Sequence, residues 1–214
     1  MKGIILKDLY DNFCIPKNAA AYIFAALVTI PAGFLIHSEY YYILFSMIIL
    51  PLFGGCALEY PTEQEEASHF NKLMITFPVS RAQIVTAKYI LGLGFIIFCN
   101  FLALLCSMVQ VYIHHTVRLT EALRICGIGI GISLIFLSVI YAGYFLLGKR
   151  WGTIFFIAVT FLIAGIYGAS SVLVGIEAIF SLSPILVLCL LLAGSVMTVL
   201  SCLVSIRIYT WKHS

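Results

Sequence analysis

One polar stretch, Glu59 to Lys88, lies between apolar runs that are each long enough to cross a bilayer, and this alternation leaves few folds open. The apolar runs measure about 18 to 26 residues, against the roughly 20 that a helix needs to cross a 30 Å hydrocarbon core. Lipid offers no hydrogen bonds, so backbone N–H and C=O groups must be satisfied within each segment, and runs of this length read as helices. Six spans are expected, near 19–36, 41–58, 89–113, 122–147, 153–175 and 185–206. A chain that is 63% hydrophobic and 10% charged, with a mean hydropathy of +1.11, lies outside the composition of soluble domains. The expected fold class is therefore an all-α membrane protein with six transmembrane helices. Too little chain remains between them for a soluble catalytic domain.

Charge placement orients the bundle. Lys2, Lys7, Lys17, Lys72, Arg81, Lys88, Lys149, Arg150, Arg207 and Lys212 fall on one side of a six-span reading, and only Arg118 and Arg124 on the other. By the positive-inside rule both termini are expected in the cytoplasm. The net charge of +3 is spread over four such segments, a mark of topology that excludes a nucleic-acid partner. Asp8 and Asp11 interrupt the basic N-terminus before any apolar run begins, so no cleaved signal is expected. The seven cysteines form no C-x-x-C pair and read as apolar packing residues.

Local signals divide the chain further. Residues 1–18 are expected as an amphipathic interfacial helix with Ile4, Ile5, Leu9 and Phe13 on its membrane face, ended by Pro16. Pro31 with Gly33, and Pro51 with Gly54 and Gly55, predict kinks in spans 1 and 2. Thr62 and Glu65 match a capping box that would start a short helix after span 2, with Glu63 and Glu66 in its first turn. Pro78 breaks that helix, and Ser80 with Gln83 forms a second box leading into span 3. The segment 59–88 thus reads as helix, turn and helix. Gly127, Gly129 and Gly131 in span 4, and Gly165, Gly168, Ala169, Ser170 and Ser171 in span 5, are small residues suited to close helix packing. Pro184 can open span 6 after a loop whose one charge is Glu177, and 207–214 is expected as a cytoplasmic tail.

Much chemistry is missing. The spans hold no Asp, Glu or Lys, groups that cost roughly 2.5–3.5 kcal/mol each at the bilayer centre and mark ion-coupled transport. Asn100 and Gln110 in span 3 are the strongest polar groups at depth, either interhelical hydrogen-bond partners or part of a translocation path. Gly143, Gly148 and Lys149 match the start of a phosphate-binding loop, but Arg150 stands where Ser or Thr is required and the intervening residues belong to a span. No H-E-x-x-H occurs, Ser170 and Ser171 lack the glycine of a nucleophile elbow, and Phe70 replaces the arginine that would follow the glutamate pair of an intramembrane protease. His114 and His115 have no acidic or thiol ligands at metal spacing. No catalytic residue, metal or bound cofactor is expected.

Two segments resemble the permease subunits of ABC-2-type ATP-binding-cassette transporters. The opening Met1–Leu9 is similar to the family's lysine-aspartate N-terminal helix, here Lys7-Asp8. Residues 70–89 resemble its run of Phe77-Pro78, Ser80-Arg81, Ile84-Val85 and Lys88-Tyr89 leading into span 3. The resemblance implies a type V exporter-like transmembrane domain in a bacterial cell membrane. It implies that 59–88 is a coupling segment docking on a separate ATPase subunit, which would hold ATP and Mg²⁺. Phe70, Leu73 and Met74 would be apolar anchors, Glu63, Glu65, Glu66, Lys72 and Arg81 a charged rim, and Lys7 and Asp8 a further docking point. A second permease subunit would complete twelve spans, with membrane lipid and a hydrophobic or peptide substrate as the other partners. The small size is similar to peptide exporters such as the phenol-soluble modulin exporter. On sequence alone, a membrane immunity or assembly protein and an ion-coupled secondary transporter stay open as alternatives.

Overall fold

The computed structural model describes residues 2–36, 38–68, 80–173 and 183–212, which are helical apart from short turns and links and hold no strand among them. Helix α1 is Lys2–Phe13, α2 Pro16–Leu35, α3 Glu39–Ala67 and α4 Arg81–Tyr112. A continuous run, Leu119–Leu173, follows, and then α7, Pro184–Lys212. The 55 residues of that run would make a straight helix of about 80 Å, more than twice a bilayer core. It is not straight. Gly148 has φ 79° and ψ −177°, a conformation essentially closed to residues with a Cβ. The chain reverses there, because Phe136 and Phe156, twenty positions apart, bring their rings to 5.7 Å. The run is thus two antiparallel helices, α5 (119–147) and α6 (149–173), and the six expected spans are α2 to α7.

Pro16 opens α2 rather than merely closing α1, which ends at Phe13 with Ile15 as the extended link. Pro31 lies inside α2, which remains one helix. Span 2 is less regular. A proline at 51 has no N–H to donate to the helix, and the turn before it is a π-turn, Phe45–Ile49, with the Leu50 N–H reaching Phe45 O. After Gly54-Gly55 the helix tightens into a 3₁₀ turn, Cys56–Leu58, and then continues as Glu59–Ala67.

The Thr62–Glu65 capping box does not form. A cap needs an extended residue at its start, but the chain enters Thr62 already helical from span 2, and the Thr62 hydroxyl donates to Leu58 O instead. The Ser80–Gln83 box does form, the Ser80 hydroxyl accepting from the Gln83 N–H at 3.3 Å and the Gln83 side chain accepting from the Ser80 N–H at 3.3 Å. Residues 207–212, expected as a tail, continue α7. The proline-bearing turn with Pro78 and the loop carrying Glu177 lie outside the described residues.

Helices α3 and α5 are the most buried spans, and α2, α6 and α7 the most exposed. Three apolar clusters fill the space between. One, rich in tyrosine, joins Leu58, Ile84, Tyr89, Phe136, Tyr141 and Tyr209; a second at the opposite end joins Tyr42, Ile48, Ile125 and Val187; a third packs Phe45 and Leu50 on Cys99 and Cys106. Gly127 and Gly131 face Val187 and Leu190 of α7, as small residues at a helix contact should. At Gly129 the approach is tighter, since a Cβ there would stand 2.6 Å from the Ser46 carbonyl oxygen of α3. Gly165 and Gly168 of α6 would meet nothing within 4 Å among the described residues.

Candidate functional site

Three helices meet at one end of the bundle in a buried ionic joint. On α1, Lys7, Asp8 and Asp11 are spaced to share a face. Lys7 Nζ lies 2.7 Å from Glu65 Oε1 of α3, 3.1 Å from Asp8 Oδ1 and 3.1 Å from Asp11 Oδ2. Lys88 of α4 reaches the same Glu65 Oε1 at 2.7 Å and Asp8 Oδ2 at 3.7 Å. Asp8, Glu65 and Lys88 are each at most 4% exposed. Buried charges hold only when paired and hydrogen-bonded, which explains why the three helices meet here and nowhere looser. Asn12 completes the attachment. Its amide donates to Asp8 O at 2.8 Å and to Ala57 O at 3.2 Å, a carbonyl of the 3₁₀ turn, while the Tyr22 hydroxyl donates to Asn12 Oδ1 at 2.9 Å.

The joint holds two ammonium groups against three carboxylates, so one negative charge is in excess when all are ionised. Burial raises the Asp8 pKa above the ordinary aspartate value, and the neighbouring Lys88 and Lys7 only partly offset that. For Glu65, beyond the end of the span, burial alone would raise the pKa, but Lys88 and Lys7 overcome it and hold the carboxyl below the ordinary range. Lys7 is likewise lowered by burial and raised more strongly by Glu65, Asp8 and Asp11.

This geometry gives the polar face of α1 a protein partner. Its polar face, with Asp8, Asp11 and Asn12 buried, meets the protein, and Leu6, Tyr10 and Phe13 point outward. One short helix thus turns its polar face to the protein and leaves an apolar edge exposed.

A second seam runs along the other side of the Glu59–Ala67 helix. Lys149, next to the reversing Gly148, places Nζ 3.5 Å from Glu63 Oε2 and donates to Glu59 O at 3.2 Å, and its backbone N–H donates to Glu66 Oε1 at 3.3 Å. Lys17 approaches Glu63 Oε1 at 3.2 Å from α2. The phosphate-loop-like residues are thus differently employed: Gly143 packs on Phe155, Gly148 makes the reversal, and Lys149 ties two turns together. Arg81 donates to Thr210 O at 3.2 Å, and Lys212 donates to Phe145 O at 3.0 Å. These contacts gather Lys7, Lys17, Arg81, Lys88, Lys149 and Lys212 at one end of the bundle.

Among the residues singled out from sequence, Glu66 is exposed and Glu63 half-buried on the outer face, whereas Glu65 sits inside the joint with Lys7 and Asp8. Arg81 turns toward α7. Phe70, Lys72, Leu73 and Met74 lie outside the described residues. Asn100 donates to Ile96 O at 2.9 Å and to Ser133 Oγ at 3.2 Å. Gln110 donates to Gly33 O at 3.3 Å and Ile36 O at 3.1 Å and accepts from the Thr116 hydroxyl at 2.7 Å. It thereby satisfies carbonyls that the end of α2 leaves without helical partners. Both amides act as interhelical ties. Sequence reasoning passed over Lys88, Asp11, Asn12 and Lys149. Lys88 carried a signal: it shares a helical face with Val85 and Gly92, so a buried cation required an acid.

Comparison with protein families gives a match to the model described as ABC-2 family transporter protein, over residues 3–210. The comparisons with curated proteins and with solved structures give no match. The match takes in α1, the joint and all six spans, and the resemblance seen in Lys7-Asp8 and in 70–89 falls within it. An all-helical six-span bundle whose charges gather at one end, matched over almost its full length, belongs to the ABC-2 transporter family as a membrane-spanning permease.

Proposed function

We propose that this chain is the permease subunit of an ATP-driven exporter of amphipathic or hydrophobic peptides. A separate ATP-binding-cassette ATPase docks on the polar end of α3, and two copies, or this chain and a close paralogue, form the working unit. One observation carries the reading. The ionic joint fuses α1, α3 and α4 at the end where α3 presents Glu63 and Glu66, so a load applied to that face reaches three helices together. Closure of an ATPase pair would be transmitted as a rigid-body movement of α3 and α4, with the π-turn before Pro51 as a place of weaker helical pairing. ATP and Mg²⁺ belong to the partner. The basic end faces the cytoplasm of a bacterial cell, supported by the gathering of lysines and arginines there. Wide apolar faces on α2, α6 and α7 offer area for lipid and a second copy.

The test is co-purification of the ATPase with Phe70→Asp and Leu73→Asp variants, and peptide efflux from loaded vesicles. Loss of the ATPase from a permease that still folds supports docking through 59–88. Retention by both variants, or efflux that stops with the ion gradient and ignores ATP depletion, refutes the reading.

A further inference from the structure

Away from the ionic joint, a cleft of about 610 Å³ opens between the polar ends of α4 and α7, lined by Arg81, Arg207, Ile208, Thr210 and Trp211. We propose that this cleft binds the phosphodiester headgroup of an anionic phospholipid. The proposal does not rest on ATPase docking or transport, although Arg81 also lies in the segment 59–88.

Four observations support it. Among the described residues, the lining carries two guanidiniums and no carboxylate. Arg81 is positioned by its donation to Thr210 O, which holds the start of α4 beside the end of α7. The site also lies where a lipid headgroup would be. One stripe of α7, Leu200, Leu203 and Val204, is exposed and apolar, and one further turn along it comes Arg207, then Trp211 at 82% exposed. The opposite face of α7 is turned to protein, with the hydroxyls of Ser201 and Ser205 paired to Tyr89. A lipid-facing stripe that ends in arginine and tryptophan marks the depth of the interface, where tryptophan is favoured and arginine meets phosphate. Guanidinium presents paired N–H donors that match two phosphate oxygens, and the apolar rim of Ile208 and Trp211 suits the glycerol and first acyl carbons. A zwitterionic headgroup would bring its own cation into a cleft that already holds two, so the preference is for a net negative lipid.

Native mass spectrometry of the full-length permease, exchanged into detergent with equal phosphatidylglycerol and phosphatidylcholine of identical chains, tests this. Phosphatidylglycerol should be retained over phosphatidylcholine, and Arg207→Gln should weaken that retention roughly fivefold, the scale for one basic residue at an anionic surface. Arg118→Gln removes the same charge at the other end of the bundle and should leave retention unchanged. Thermal unfolding in the same detergent checks that both variants are folded. Equal retention of the two lipids overturns the proposal, as does an Arg118→Gln effect as large as that of Arg207→Gln. Displacement of the lipid by inorganic phosphate would identify a soluble-anion site and also overturn it. So would an Arg207→Gln variant that keeps its lipid preference but loses a co-purifying ATPase.

Discussion

Replacing Lys88 with methionine keeps the aliphatic stem and removes the cation that Glu65 shares with Lys7. The joint would then hold one ammonium against three carboxylates, where the wild type holds two against three. Breaking a buried pair by deleting one partner typically costs 3–5 kcal/mol, because the remaining charge keeps its desolvation penalty. Lys88 contacts two acids and is 4% exposed, so a cost of about 4 kcal/mol is expected at neutral pH. Adding Glu65→Gln restores the wild-type excess of a single negative charge. The double variant should therefore recover about 2 kcal/mol relative to Lys88→Met alone, a coupling of the size found for residues in one network. The measurement is equilibrium unfolding in mixed SDS and mild detergent, with the four proteins of the cycle at one pH. A double variant less stable than Lys88→Met, or two additive losses, would refute the electrostatic account. Acidification should narrow the Lys88→Met deficit as the unpaired carboxylates protonate.

Asp8→Asn should leave stability unchanged or higher at pH 7: the folded state raises the Asp8 pKa, so its ionisation opposes folding as pH climbs above the ordinary aspartate range. Wild type and Asp8→Asn should converge in acid, read from unfolding midpoints between pH 4 and 7. Glu65 has the opposite sign, and the stability it contributes should fade as pH drops below the usual glutamate range toward its lowered folded value. Gly148→Ala should cost about 1–3 kcal/mol by conformation alone, since a Cβ there meets nothing within 4 Å; an unchanged unfolding midpoint would contradict the reversal at that residue. Gly129→Ala should prevent normal packing, because the Ser46 carbonyl is backbone and cannot yield, while Gly165→Ala should be tolerated; monodispersity on gel filtration separates the two.

The spans, the Ser80–Gln83 box and the opening of α7 at Pro184 were legible because each rests on local chemistry: run length, a cap three residues from its partner, a proline at a first turn. The Thr62–Glu65 box had the same local form and failed, since a helix arriving from span 2 overrides a cap signal. Periodicity identified the polar and apolar faces of α1 but not which one the protein would hold. That choice was made by Glu65 and Lys88, 58 residues from Lys7 and 80 from Asp8 respectively, and no nearby residue announces it. Lys149 hid inside a phosphate-loop-like pattern whose glycine serves a reversal instead. The π-turn left no mark beyond Pro51, which signals disturbance without specifying its form.

The joint between the first helix and the fourth also sets a timetable for assembly. Asp8 is made 80 residues before Lys88, and at common synthesis rates of 5–20 residues per second it waits about 4 to 16 s for that lysine to be made. During that interval α1 can rest at the membrane surface on Leu6, Tyr10 and Phe13 alone, its carboxylates still hydrated. Arrival of the third span strips that water and clamps α1 down, so the lock on these helices closes only when its later-made half appears.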